Sequence, residues 1–193
     1  RLINILRLTK NKIYARKCEI KEVSSRDSKD FINNNHLQDY VFSSIRIGLY
    51  YEGQLISLMC FNKPRLGIGQ QYDGYELTRF CNKLNTLVIG GADKLLKYFI
   101  KTYKPKQIIS YADRRWSQGD LYEKLNFKLK NINKPNYWYI IGKKRKHRFG
   151  YRKNILIKEG FDPNKSEHEI MLERKIYRIY DCGTKSYSWK IFK

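Results

Sequence analysis

Polar and apolar residues alternate over RKCEIKEV (residues 16–23), the period of a strand with one buried face, and Ser24 or Ser25 behind it offers an N-cap to a helix running into FINNNH. The next stretch, SIRIGLYYEGQLISLMCFNKP, is two β-rich runs around Glu52-Gly53, a hairpin signal, with Pro64 closing the second run because proline cannot donate to a ladder. GYELTRFC (74–81) is a third such run. The period then changes. In NKLNTLVIGGADKLLKYFIKTYKP, Leu95, Leu96, Phe99 and Ile100 recur at helical spacing behind Gly90-Gly91, and Pro105 marks the exit. QIISYAD (107–113) is a short apolar strand, DLYEKL a helix of about two turns, and NFKLKNI and NYWYIIG are two closing strands. The order β-α-β-β, β-α, β-α, β-β predicts an α/β (α+β) fold, a mixed β-sheet flanked by helices.

After Gly142 patterning gives way to charge. KKRKHRFGYRKNILIK, residues 143–158, holds eight Lys and Arg and no acid. Beyond it Asp162-Pro163 signals a helix start, Ser166 and Glu169 are spaced as a capping box, and YRIYDCG reads as a strand, so a small basic helix-strand appendage is expected. The organisation is therefore residues 1–13 as a lead-in continuing from an upstream portion, 14–142 as the main domain and 143–193 as the basic appendage.

The chain has 193 residues, 41% of them hydrophobic, enough for one well-buried domain and too few for a large multidomain machine. Its net charge of +22 repels itself unless a polyanion neutralises it, which makes nucleic acid the leading partner and DNA the favoured one. No apolar run reaches the about 18 residues of a spanning helix, so a soluble protein without a membrane partner is expected. Cys18, Cys60, Cys81 and Cys182 lie far apart with no C-x-x-C pair, which points to reduced thiols, a cytoplasmic setting and no metal site.

Candidate chemistry sits where charge or glycine interrupts the apolar pattern. In YELTRF, strand alternation places Tyr75, Leu77 and Arg79 on one face and Glu76 and Thr78 on the other, and charges within an apolar strand need partners or a polar cleft. Asp113, ending its strand, is a partner for Arg79, either as a structural ion pair or in a site. Gly90 and Gly91 open a helix whose first amides could hold a phosphate, and the same pair also reads as a tight strand-to-helix turn. Arg114, Arg115 and Trp116 combine cations for phosphate with a ring on which a base can stack. Lys143, Lys144, Arg145, Lys146, Arg148, Arg152 and Lys153 repeat that combination around Phe149 and Tyr151, against the alternative of a solvated face.

The element order, the Gly-Gly-Ala of VIGGADKLLKYF and the segment DLYEKLNF together resemble the GNAT acyltransferases. Within that superfamily ELTRF, SYADRRW and LYEKLNF resemble phage Mom-type DNA-modification proteins. With NNNH, CNKLNT and IYDCG, the chain from about residue 14 onward is more similar still to a phage domain carried beside homing-endonuclease modules. The resemblance implies an acetyl-CoA or other acyl-CoA site at Gly90, Gly91 and Ala92, a general acid at Tyr122, and a substrate site near His36 with Glu76, Arg79 and Asp113. The bland alternatives are that Tyr122 packs against Leu125 and Phe127 and that His36 is a turn residue. Leu87 stands where the GNAT pattern has Gln or Arg. Two functions follow: acyl transfer to a DNA base, in the host cytoplasm if the protein is phage-encoded, or a non-catalytic DNA-binding module whose nuclease domain lies upstream in the same polypeptide.

Overall fold

The alternating run at residues 16–23 becomes the strand Glu19–Glu22 (β2), preceded by Asn11–Tyr14 (β1) and a 3-10 turn over Ala15–Lys17. The structure, a computed structural model, describes residues 6, 8–63 and 74–190; Pro64 lies outside them. Ser24 is the N-cap: its hydroxyl accepts from the backbone N–H of Asp27 at 3.0 Å and starts the helix Ser25–Asn35 (α1). Ile45–Tyr51 (β3) and Gln54–Asn62 (β4) form the hairpin, turned by Glu52 and Gly53 with φ of 49° and 75°. Positive φ at both turn residues gives the twist that flanking strands require.

Tyr75–Asn82 (β5) pairs antiparallel with β4. A strand not anticipated from periodicity, Thr86–Ile89 (β6), pairs in parallel with β1 and leads through Gly90 into the helix Gly91–Tyr103 (α2). Gln107–Asp113 (β7), a helix over Asp120–Lys124 (α3) and Lys128–Asn133 (β8) follow. The segment read as about two turns is shorter because Asn126, at φ 61°, turns the chain out of the helix. The final strand, Thr184–Lys190 (β12), completes a seven-stranded sheet of order β2-β3-β4-β5-β7-β12-β8.

Alternation along β4 sorts the core. Leu58 and Cys60 pack with Val23, Ile32 of α1 and Cys81, while Phe61, on the other face, stacks on Phe99 of α2 with ring centroids 3.6 Å apart. The two long helices thus cover opposite faces of β4, the layered mixed sheet predicted.

By its contacts the chain divides into two units. The first comprises the described residues up to Tyr111, with Gly119–Lys130 and those from Ser186 on, and contains the core just described. The second comprises Ala112–Gln118 and Asn131–Lys185. In it, Tyr137–Ile141 (β9) is the central strand of a three-stranded sheet flanked by Lys144–His147 (β10) and Arg178–Tyr180 (β11). The basic run therefore does not trail as a tail: it supplies β10, a 3-10 turn over Arg148–Tyr151 and the helix Lys153–Lys158 (α4). The capping box forms, with Ser166 and Glu169 bonding each other's backbone at the head of Glu167–Glu173 (α5). Tyr139, Leu156, Ile170 and Met171 are the buried core of this unit. Tyr137 and Tyr139 both donate to Oε1 of Glu167, at 2.7 and 2.8 Å.

The two closing strands separate: β8 is the edge of the large sheet beside β12, whereas β9 belongs to the small sheet. β12 escapes a hydrophobicity reading because its most buried positions are a tyrosine and a serine. Tyr187 is 1% exposed, and Ser188 is buried with its hydroxyl accepting from Nε2 of Gln107 at 2.8 Å.

Candidate active site

The site grows from an irregularity in β5. Cys60 of β4 lies opposite Arg79 and Phe61 opposite Leu77, so Thr78 is an extra residue without a counterpart, a β-bulge. Its hydroxyl donates to the Cys60 carbonyl at 3.0 Å and lies 2.9 Å from the Ser43 hydroxyl. Directly opposed residues share a face, so Leu77 follows Phe61 to the α2 side while Arg79 follows Cys60 to the α1 side. Glu76, opposite Asn62, is also on the α1 side. This corrects the simple alternation: Arg79 leaves the face of Tyr75 and Leu77 and joins that of Glu76.

The Arg79 guanidinium donates to the Asp39 carbonyl through Nε and Nη2 (3.2 and 3.0 Å) and to the Thr78 carbonyl through Nη1 (2.8 Å). Burial lowers its pKa, and the charges of Glu76 and Asp39 with the Tyr122 hydroxyl act in the opposite sense. His36 caps the C-terminus of α1, its backbone N–H bonded to the Ile32 carbonyl at 2.8 Å and its Nδ1 lying 3.0 Å from both the N–H and the carbonyl oxygen of Gln38. Burial, reinforced by the positive charge of Arg79, holds the imidazole below its ordinary pKa of 6.5.

β5 and β7 pair in parallel through Tyr75–Ile108 and Glu76–Ile109. At the next carbonyl, that of Leu77, a side chain takes over: the Ser110 hydroxyl donates to it at 2.8 Å. The Tyr122 hydroxyl is 2.9 Å from Ser110 Oγ and 3.3 Å from the Tyr111 carbonyl. Ser110 is the donor towards Tyr122, and Tyr122 donates its own proton to the Tyr111 carbonyl. The Tyr122 ring stacks on Tyr187 at 4.8 Å and meets Phe127 edge-on at 5.7 Å. Burial raises its pKa above the ordinary tyrosine value; Ser110 and Arg79 pull it down and Tyr187 and Glu76 push it up. The first unit thus brings Glu76, Arg79, Tyr122 and His36 into one electrostatically coupled cluster, tied to the strands by Thr78 and Ser110. Sequence reading missed these last two, since a bulge and a hydroxyl bridge depend on neighbouring strands.

At the head of α2, Gly90 is exposed with φ 76° and Gly91 is buried; a Cβ on Gly91 would lie 2.9 Å from Val88 Cγ1. One glycine serves the left-handed turn and the other the close packing of helix on strand. Ala92 and Asp93 complete the first turn, and Asp93 pairs with Lys97 at 2.8 Å. Lys94 is turned to the carbonyls of Ala15 and Cys18 (2.9 and 2.6 Å).

In the second unit Asp113 accepts the Arg115 backbone N–H at 2.9 Å and pairs with its guanidinium at 3.5 Å, while that guanidinium also lies 4.7 Å from the Trp116 ring centre. Asp113, Arg114, Arg115 and Trp116 form one tight turn, with Trp116 N–H bonded to the Asp113 carbonyl. Lys143, Lys144, Arg145 and Lys146 are exposed on and before β10, Arg148 lies over Tyr137 and Arg152 over Phe149, and Lys153 opens α4. Among the described residues no group of three or more His, Cys, Asp or Glu could hold a metal ion, and no helix is long and apolar enough to cross a membrane.

No protein-family model and no curated protein matches the sequence. Among solved structures, the ribosomal-protein-S18-alanine N-acetyltransferase from Escherichia coli aligns over 91% of this chain and 95% of its own, with a TM-score of 0.54 at 11% identity. Ard1 from Thermoplasma volcanium aligns over 92% and 99% with a TM-score of 0.54 at 8% identity. The spermidine/spermine N-acetyltransferase SpeG from Vibrio cholerae aligns over 91% and 94%, with a TM-score of 0.51 at 11% identity. At such identities the likeness is one of fold, and the chain adopts the fold of the GNAT acetyltransferases.

Proposed function

We propose that the chain is a GNAT-fold acyltransferase that takes an acyl-CoA as donor and nucleic acid, DNA in the first place, as acceptor, adding an acyl-type group to a base as the resemblance to phage Mom-type proteins suggests. One observation carries the reading: where the ladder between β5 and β7 gives way to the Ser110 hydroxyl, the Tyr122 hydroxyl is held 2.9 Å from Ser110 Oγ, and the bulge of β5 places Glu76 and Arg79 on one face. Acyl-CoA would supply a thioester. Glu76 would take a proton from an attacking amine, Tyr122 would return one to the leaving sulfur, and Arg79 would hold negative charge between them. A tyrosine kept protonated by burial is suited to the donor role. The pyrophosphate of such a donor fits the head of α2 through the backbone alone: exposed Gly90 leaves room, and the amides of Gly91, Ala92 and Asp93 have no carbonyl within the helix.

A second reading keeps the fold and the DNA and omits the reaction, making the chain the binding module of a homing endonuclease. It is favoured by the side chains at that turn. Leu87 and Ile89 are apolar, Asp93 is acidic, and Lys94 is engaged with two carbonyls, so none of these four side chains offers a free cation to a phosphate. Calorimetry with acetyl-CoA separates the two. The enzyme requires saturable micromolar binding that Gly90→Asp abolishes and Gly90→Asn retains, since asparagine tolerates positive φ without adding charge. Absence of heat at millimolar acetyl-CoA overturns the enzyme and leaves the module.

A further inference from the structure

The second unit has a sheet face that its own core does not use. Along β9, Tyr139 is fully buried, and Tyr137 and Ile141 pack beside it against the helices, so Trp138 and Ile140 point the other way. Register places His147 of β10 and Ile179 of β11 directly opposite Trp138, and Arg145 opposite Ile140. Directly opposed residues share a face, so all of them lie on this outer side. Ile179 is 47% exposed and Phe149, just beyond β10, is 53% exposed.

The rings on this face form a ladder. Trp138 meets His147 at 4.7 Å with planes 89° apart, and His147 meets Phe149 at 4.4 Å and 84°. Guanidinium groups lie over two of the rings: Arg145 is 4.6 Å from the Trp138 ring centre and Arg152 is 3.9 Å from that of Phe149. Asp181, a carboxylate fixed by the amides of Asn136 and Gly183 at 2.9 and 2.8 Å, lies beside the Trp138 indole. Burial would raise the pKa of Asp181, but those donors, the indole and Arg145 keep it below the ordinary value, so the carboxylate beside the indole stays ionised. Rings fixed edge to face are held in place, and a guanidinium layered on each of the two larger rings joins cation to flat π surface, a combination that complements an anionic strand carrying flat bases.

We propose that this outer face binds a single-stranded segment of nucleic acid, with bases stacking on Trp138 and Phe149 and phosphates meeting Arg145 and Arg152. Unpaired bases offer the ring faces that a duplex keeps within its own stack, so the surface selects single strands over duplex. The proposal rests on the reading of the chain as a nucleic-acid-acting protein and adds to it the strandedness of the ligand and the residues that sense it. His147, between the two larger rings, is a positioning residue.

The test is fluorescence anisotropy of the whole chain with a labelled twelve-nucleotide oligodeoxynucleotide, the matching RNA, the DNA duplex, and inorganic polyphosphate as competitor. The single strands should bind about tenfold or more tightly than duplex, and RNA against DNA settles which sugar is preferred. Because stacking contributes about tenfold or more per base, Trp138→Leu and Phe149→Leu should each weaken single-strand binding by at least that factor while leaving the salt slope and polyphosphate competition unchanged. Phe149 is exposed, so its variant tests the idea even if Trp138→Leu fails to fold. Equal affinity for duplex and single strand, with both variants silent, would overturn the stacking site alone and leave a nucleic-acid surface that reads charge. Failure to bind any of the nucleic acids, or retention only on anionic lipid vesicles, would overturn this proposal and the reading beneath it.

Discussion

A strand residue without a counterpart turns every side chain after it to the other face, and at Thr78 that shift unites an acid with a base. Glu76 and Arg79 were legible in the sequence because charges inside an apolar strand require an explanation; their shared face was not, because β4 determines where the extra residue falls. Arg79 is bound to two carbonyls, so Arg79→Leu should leave the Asp39 and Thr78 carbonyls without these donors and cost about 2 kcal/mol in denaturant unfolding, whatever the fate of activity. An unchanged midpoint would show that those bonds contribute nothing net. His36 gives a pH signature. Its folded pKa is depressed, so the unfolded chain binds the proton more tightly; the contribution is present above pH 6.5 and is lost as pH falls from there toward the folded value. His36→Asn should flatten that part of the stability curve, and a slope identical in both proteins would assign it to other groups.

Between elements, the Gly-Gly turn shows how one dipeptide can support two stories. The reading as a phosphate cradle treated both glycines as room for an anion, yet Gly91 is spent on the approach of α2 to Val88 and only Gly90 faces outward. Gly91→Ala should therefore destabilise the protein by about 1–3 kcal/mol through overpacking. Shrinking the neighbour with Val88→Ala in the same chain should return part of that loss; a strictly additive double variant would mean that the steric account is wrong. The hairpin, both long helices and β7 could be read from period and turn residues, since their information is local. β6 and β12 could not: β6 is four residues paired with a strand more than seventy positions earlier, and β12 buries a serine and a tyrosine that hydropathy counts as surface.

At the scale of the whole chain, +22 charges are the strongest argument for a polyanionic partner, and Lys143, Lys144, Arg145 and Lys146 concentrate them on an exposed strand and its approach. Each phosphate contact should add roughly 0.7–0.9 to the log-log salt slope of nucleic-acid binding, and replacing these four by Ala should weaken all sequences alike. A slope near zero would remove electrostatics from the account. The position of β12 carries a different consequence, for manufacture. β7 and β8 are both translated before residues 134–183, and the strand that separates them in the sheet is translated after. On a ribosome this leaves an open lane between two unpaired strand edges for roughly 3–10 s at ordinary rates of synthesis. Two nascent chains on one message could each lend a strand to the other's lane, so chains released before Thr184 should associate through these edges where the full-length protein does not.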